Sequence, residues 1–323
     1  MDAGREVLQR QGRLSAAPGR PKAARAGARR AEAPLRTGGT IATSFGVIES
    51  ATAYRERVAA TIVAMLRDDP AIAAIGEGGA AARSRADEFS DLDLMIVAPV
   101  AGAAAIFAIV EAALRTIAPI THTWRVEPPG FPDMVQRFYF LADAPRHFAV
   151  DCSVITPAGI AAFLQRERHG EMIVWFDRDA TLTSRPIDGE TLARRRANRL
   201  AQLRGSVPVY SMLVDKELER GHTLEAYGFY QVLLRALIEL LGMRHRPDRF
   251  DYSWRYVERE LPRSAQALVA RHAFVPDGKS LALLSASLLD EITGLLDTLT
   301  AAEAAADAAA PVTAAAPADR SLP

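Results

Sequence analysis

Apolar side chains at Val58, Ile62, Met65 and Leu66 keep a spacing of three and four, which predicts a helix over 53–66. A short apolar strand is expected at 71–75, and a second at 91–98 in which Leu92 and Leu94 alternate with Asp91 and Asp93. Helical composition returns over 103–117. Strands then follow at 120–126, 134–141 and 147–155, with a further candidate at 171–176, and Pro128, Pro129, Gly130, Pro132 and Pro145 mark the turns between them. After Pro186 the period is helical almost throughout, over 189–203, 207–220, 224–243, 264–272 and 280–298. The predicted fold class is α/β in the α+β sense. A mixed sheet with flanking helices occupies residues 45–185, and a C-terminal helical bundle occupies 186–300.

The ends differ from this middle. Residues 1–43 hold nine Arg or Lys against Asp2, Glu6 and Glu32, are rich in Ala, Gly and Pro, and read as a disordered basic arm. Residues 301–323 read as an Ala/Pro tail. Over the whole chain 39 basic residues balance 39 acidic ones, and the region after the arm is net acidic, so nucleic acid is not an expected partner. The longest apolar run, 94–110, is interrupted by Pro99 and Gly102 and bracketed by acids. It reads as strand, turn and helix, and no membrane association is expected. The first ten residues lack the apolar stretch of an export signal, and the single cysteine, Cys152, suits a reducing compartment, so a cytoplasmic location is expected. The six histidines have no zinc-ligand spacing, and no Gly-x-Ser-x-Gly elbow is present.

Chemistry concentrates between Ile75 and Ala98. On a strand Asp91 and Asp93 point to the same side, about 7 Å apart along the backbone, while Leu92 and Leu94 enter the core. Two carboxylates so placed call for a hard divalent cation such as Mg²⁺, which is usually held by a few carboxylates and substrate phosphates. The Gly78–Gly79 turn lets backbone N–H groups approach a polyphosphate. In His147 to Thr156 the apolar residues Phe148, Val150, Cys152 and Val154 share one face. Asp151 therefore falls on the other, as a candidate third carboxylate that should not be buried without a partner.

Gly78-Gly79, a spacer, and Ser90-Asp91-Leu92-Asp93-Leu94 together resemble the signature of the DNA polymerase β-like nucleotidyltransferase superfamily. Within it the chain most resembles the aminoglycoside and lincosamide nucleotidyltransferases, and Glu77-Gly78 and Asp87-Glu88-Phe89 are similar to the streptomycin 6-adenylyltransferase branch. The resemblance implies a catalytic mixed-sheet domain followed by helices, two Mg²⁺ ions on Asp91, Asp93 and Asp151, and ATP or another nucleoside triphosphate as co-substrate. It implies a small-molecule acceptor such as an aminoglycoside or lincosamide, an antibiotic-resistance role, and often a homodimer. Asp151 would also help deprotonate the acceptor hydroxyl. Gly78, Gly79, Arg83, Ser90 and Lys216 are the expected nucleotide contacts, Lys216 because its helical context resembles a phosphate-binding lysine of relatives. Where relatives carry Ser, this chain has Gly79. The stretch 244–261, with Tyr252, Trp254 and Tyr256, is the place to look for stacking on a base or sugar. A protein acceptor and a non-catalytic nucleotide-binding descendant are the alternative functions.

Overall fold

The computed structural model describes residues 49–309; the arm at 1–43 and the tail beyond 309 lie outside the described residues. Helix α1 (Ala51–Leu66) starts where the Ser50 hydroxyl accepts the Ala53 N–H at 3.1 Å. It buries Tyr54, Val58, Ile62 and Leu66 along one stripe. Strands β1 (Ala74–Glu77) and β2 (Leu92–Val97) are antiparallel. Helix α2 (Ala103–Ile117) leads to β3 (Ile120–Arg125), β4 (Met134–Leu141) and β5 (Val150–Ile155), which run back as an antiparallel meander. That route brings β5 beside β2 in parallel, with Leu92 opposite Val150 and Asp93 opposite Asp151.

Two short helices, α3 (Pro157–Phe163) and α4 (Arg166–His169), precede β6 (Ile173–Asp177), which pairs with the far side of β1. The six-stranded order is β3-β4-β5-β2-β1-β6, and β2-β5 is its parallel pair. The mixed strand direction is as expected from the sequence. The first strand, however, sits at 74–77 rather than 71–75, because the ladder with β2 begins at Ala74 opposite Val97. The four residues of α4 and the seven of α3 carry too little periodicity to be seen in sequence.

One face of the sheet packs on α1 and α2. Leu92, Leu94 and Ile96 of β2, and Val150, Cys152 and Val154 of β5, join Ile106, Phe107, Val110 and Leu114 of α2 in one core. Residues 100–117 are long and apolar enough to cross a membrane by length and composition, but here they supply a wall of that core. By period-two alternation the opposite face carries Asp93, Met95, Asp151 and Ser153.

The second half is helical. Helix α5 (Gly189–Glu219) is one element where two were expected, running through Pro208. Buried Leu200, Leu203, Val207, Ser211 and Val214 keep the three-four spacing across the proline, so packing overrides the hydrogen bond that proline removes. Helices α6 (Thr223–His245), α8 (Arg263–Ala273) and α9 (Gly278–Ala309) pack with α5 around Leu233, Leu237, Leu241, Leu288 and Ile292. Helix α9 runs on past residue 301, into what the sequence reads as tail, as far as Ala309.

Between α6 and α8 the chain forms a 3₁₀ segment, Pro247–Tyr252, then α7 (Val257–Glu260). The link holds Ser253 at φ 50° and Tyr256 at φ 63°, costly conformations for residues other than glycine. Buried Arg246 maintains them, donating to the carbonyl oxygens of Ser253 (2.7 Å) and Arg255. Arg246→Met leaves those carbonyls without their donor, while Glu260 keeps Arg249 and Arg85, and should destabilise the fold by about 3 kcal/mol. Chemical denaturation will read that loss, and hydrogen exchange should quicken first at residues 253–256.

Candidate active site

The open face of the sheet and the 252–256 link enclose a cleft of about 290 Å³, lined among others by Gly78, Gly79, Arg83, Asp93, Gln136, Asp151, His169, Tyr252, Arg255 and Tyr256. Asp93 and Asp151 are cross-strand partners, so their carboxylates lie side by side at its floor. Asp91 is exposed at the mouth of β2, where it accepts the Ala149 N–H at 3.2 Å. Burial, with the charges of Asp151 and Asp91 adding to it, pushes the Asp93 carboxyl up to about 7. Burial also raises Asp151, to about 6, against the amide of Gln136, which donates to both carboxylate oxygens at 2.6 and 2.8 Å.

Gly79 has φ +58°, and a Cβ built on it would stand 1.7 Å from Asp93 Oδ2. The Asp93 carboxylate thus fills the space that a side chain at 79 would need. The Gly78 N–H is engaged by the Asp93 carbonyl at 2.8 Å and is not free for a phosphate, as the sequence had suggested. Ala82, Arg83, Ser84 and Arg85 donate their N–H groups within the turn, which leaves those of Gly79, Ala80 and Ala81 to that role. Arg83 lines the cleft and donates to the carbonyls of Glu167 (2.9 Å) and Arg168 (2.6 Å), fixing the glycine turn to α4.

Two expected contacts are not brought here. Ser90 lies in the loop before β2, where its hydroxyl donates to Asp87 Oδ1 at 2.8 Å and accepts the Asp87 N–H. It shapes that turn and does not line the cleft. Lys216 faces a separate groove between α5 and α9 and stands 3.8 Å from Glu217 Oε1, because its helix turns that side away from the sheet. Glu77, part of the resembled signature, points to the opposite side of the sheet, where Arg55 Nε stands 3.2 Å away and the Trp175 indole N–H 3.3 Å.

In place of Lys216 the helical half contributes Arg255, whose guanidinium lies over the rings of Tyr252 and Tyr256 at 5.9 and 5.4 Å. Its charge lowers both Asp93 and Asp151. Of the aromatics singled out in the sequence, Tyr252 and Tyr256 line the cleft and Trp254 does not. His169 stacks on Phe163 at 3.9 Å between ring centroids. Burial, with Arg168, Arg83 and Arg255 beside it, lowers its pKa to about 4, so it stands neutral at the cleft wall. Gln136, Arg255 and His169 escaped the sequence reading. Gln136 shares the alternation of Met134 and Phe138, a signal that means something only once β4 is known to lie beside β5.

The donor set can be tested against a divalent cation. Among the described residues no three acidic, imidazole or thiol groups lie close enough to enclose an ion. What fits is an open oxygen site. Two paired carboxylates, each of which ionises reluctantly beside the other, match a Mg²⁺ ion that takes one or two protein carboxylates and completes its shell with phosphate and water.

No protein-family model matches the chain, and no curated protein does. Solved structures are similar in part. An aminoglycoside 6-adenyltransferase from Bacillus subtilis aligns over 77% of this chain and 97% of its own, at 12% identity and a TM-score of 0.28. A STING-associated CdnE c-di-GMP synthase from Capnocytophaga granulosa aligns over 78% and 81%, at 13% identity and a TM-score of 0.26. Likeness at these scores adds no weight to what the geometry carries.

Asp93 and Asp151 hold their protons more tightly folded than unfolded. In chelator, their contribution to stability is present below about pH 4 and is lost as the pH rises through about 6 and 7. Asp93→Asn should therefore raise the thermal midpoint at about pH 8 by roughly 3 °C or more and change it little at about pH 4. Gly79→Ala should displace the Asp93 carboxylate and strain the turn, lowering stability in chemical denaturation by about 1 kcal/mol or more.

Proposed function

We propose that this protein is a Mg²⁺-dependent nucleotidyltransferase that moves a nucleoside monophosphate from a nucleoside triphosphate, ATP by resemblance, to a hydroxyl of a small molecule. The observation that carries the proposal is the juxtaposition in one cleft of the Asp93–Asp151 pair, the Gly79 turn packed on Asp93, and the guanidinium groups of Arg83 and Arg255. An acidic pair facing a basic wall suits a polyphosphate neutralised on both sides.

Asp93 and Asp151, with Asp91 at the mouth, would hold one or two Mg²⁺ ions. Bound there, the metal would supply charge neutralisation on the phosphates. The turn from Gly79 would seat the phosphates through backbone N–H groups, and Arg83 and Arg255 would offset their outer charge. Tyr252 and Tyr256 offer ring faces to the base or ribose.

The acceptor oxygen attacks the α-phosphorus as the bond from that phosphorus to the bridging oxygen breaks. Pyrophosphate leaves with that electron pair, and the hydroxyl proton passes to Asp151. Asp151 faces the cleft and Gln136 fixes its orientation, so it is placed to take that proton. Positioning and neutralisation account for most of the rate in such a scheme.

The test is pyrophosphate release and transfer of label from α-labelled ATP, with Mg²⁺ and a panel of hydroxylated small molecules. Asp93→Asn and Asp151→Asn should each lower turnover at least a hundredfold. Arg255→Ala should raise KM for ATP about tenfold, and Lys216→Ala should leave it unchanged. Label appearing only on protein would point to a protein acceptor. Tight ATP binding without turnover or Mg²⁺ dependence would point to a non-catalytic binder.

A further inference from the structure

The row that holds the paired carboxylates continues across the sheet. Asp93 is opposite Asp151, Asp151 opposite Phe138, and Phe138 opposite Trp124. Directly opposed residues point to the same face, so the four side chains form one line on the open side of the sheet. The Trp124 and Phe138 rings stack with centroids 5.4 Å apart and 22° between planes. Trp124 is 53% exposed. Beside them His122 is opposite Phe140, their rings 5.8 Å apart, and Phe140 is 43% exposed. The two outer strands thus present aromatic rings to solvent in continuity with the carboxylate row.

The order of the row decides what could lie there. Gly79, Arg83, Tyr252 and Arg255 crowd the Asp93 end, so the nucleotide belongs at that end. In an in-line displacement the attacking oxygen comes from the side opposite the leaving group. The acceptor then approaches over β5 and β4. Adjacent strands lie about 4.8 Å apart, which puts Trp124 about 10 Å from Asp151, within the length of a two-ring compound. Neither β3 (Ile-Thr-His-Thr-Trp-Arg) nor β4 (Met-Val-Gln-Arg-Phe-Tyr-Phe-Leu) contains a carboxylate. A polycationic amino sugar would find no counter-charge on these strands, whereas a flat ring finds a stacking plate.

We infer that Trp124 and Phe138 form the acceptor subsite, and that the acceptor carries a planar aromatic ring which stacks on Trp124 while its hydroxyl reaches Asp151. This rests on the transfer reaction proposed above, and it departs from the amino-sugar acceptor that the sequence resemblance implied.

The chain has three tryptophans, so a Trp175→Phe, Trp254→Phe double variant leaves Trp124 as the sole indole. With a non-hydrolysable ATP analogue and Mg²⁺ present at saturation, its emission is followed during titration with adenosine, guanosine and cytidine, as uncharged planar hydroxylated probes, and with kanamycin as a polycation. The expected result is saturable quenching by at least one nucleoside and none by kanamycin. In the otherwise wild-type chain, Trp124→Leu should weaken binding of that nucleoside at least tenfold by calorimetry. Absence of saturable quenching by all three nucleosides, saturable quenching by kanamycin alone, or equal nucleoside affinity in Trp124→Leu would overturn the inference. Failure of the analogue itself to bind would instead strike the transfer reading, while the Trp124→Leu comparison still reports on the stacking plate.

Discussion

Two carboxylates at opposed positions of a parallel strand pair, half-sheltered from water, repel each other unless positive charge comes between or beside them. Asp93 and Asp151 are placed so by the backbone and not by a flexible side-chain choice: the β2-β5 register fixes them, and the meander through β3 and β4 fixes that register. Their neighbours each answer the same electrostatic problem. Gln136 donates two hydrogen bonds to Asp151, Gly79 gives up its side chain to make room for Asp93, and Arg255 lends a distant positive charge to both. None of these offsets the cost of burial, which keeps both carboxyls above the ordinary range, with the charge of Asp151 adding to it at Asp93. A buried pair that keeps such a cost in its resting form marks a candidate functional site, and the proposed cation is one partner that would relieve it.

The second wall of the cleft depends on the four-residue helix α4 as much as on the bundle. The carbonyls of Glu167 and Arg168 in α4 accept hydrogen bonds from Arg83 of the glycine loop, from Arg249 and from the Tyr252 hydroxyl. Arg168 in turn reaches the Asp248 carbonyl and the Asp251 carboxylate, which also binds Arg195 of α5. Partly buried charged donors on carbonyls contribute more than exposed ion pairs, so this joint gives that side of the cleft a rigid frame. Arg246 extends the frame by holding the strained 253–256 link from behind. Arg255 is therefore presented by the helical half in a fixed backbone conformation, facing the carboxylates of the sheet.

Local periodicity made most of the elements legible. The α2 bounds, the β4 bounds and the inward face of β5 follow from apolar spacing alone, whereas the meeting of Asp93 and Asp151 depends on the β2-β5 pairing and was implied in the sequence only by the family resemblance. What the chain did not reveal depends on tertiary pairing. Nothing in the sequence ranks Gln136 above other glutamines until β4 and β5 are neighbours, and Trp124 reads as one more strand aromatic until its partner is Phe138. The joining of two expected helices into α5 has the same origin, since proline is a local veto that the continuous stripe from Leu200 to Val214 overrides. Lys216 misled for the converse reason. A helix offers every residue some face, and the charge run around 216 does not say which face meets the sheet.

The glycine at 79 looks at first like a loss, because the resembled signature places a hydroxyl there and a hydroxyl can contact phosphate. The geometry reverses that judgement. With φ at +58° and Asp93 Oδ2 inside the volume of a Cβ, a serine at this position would strain the backbone and push away the more strongly charged group. Glycine at 79 thus permits close packing between the turn and the acidic strand. In the proposed reaction a cation between that carboxylate and a phosphate would relieve the repulsion between them. The departure at 79 and the carboxylate pair would thus be answered by the same cation.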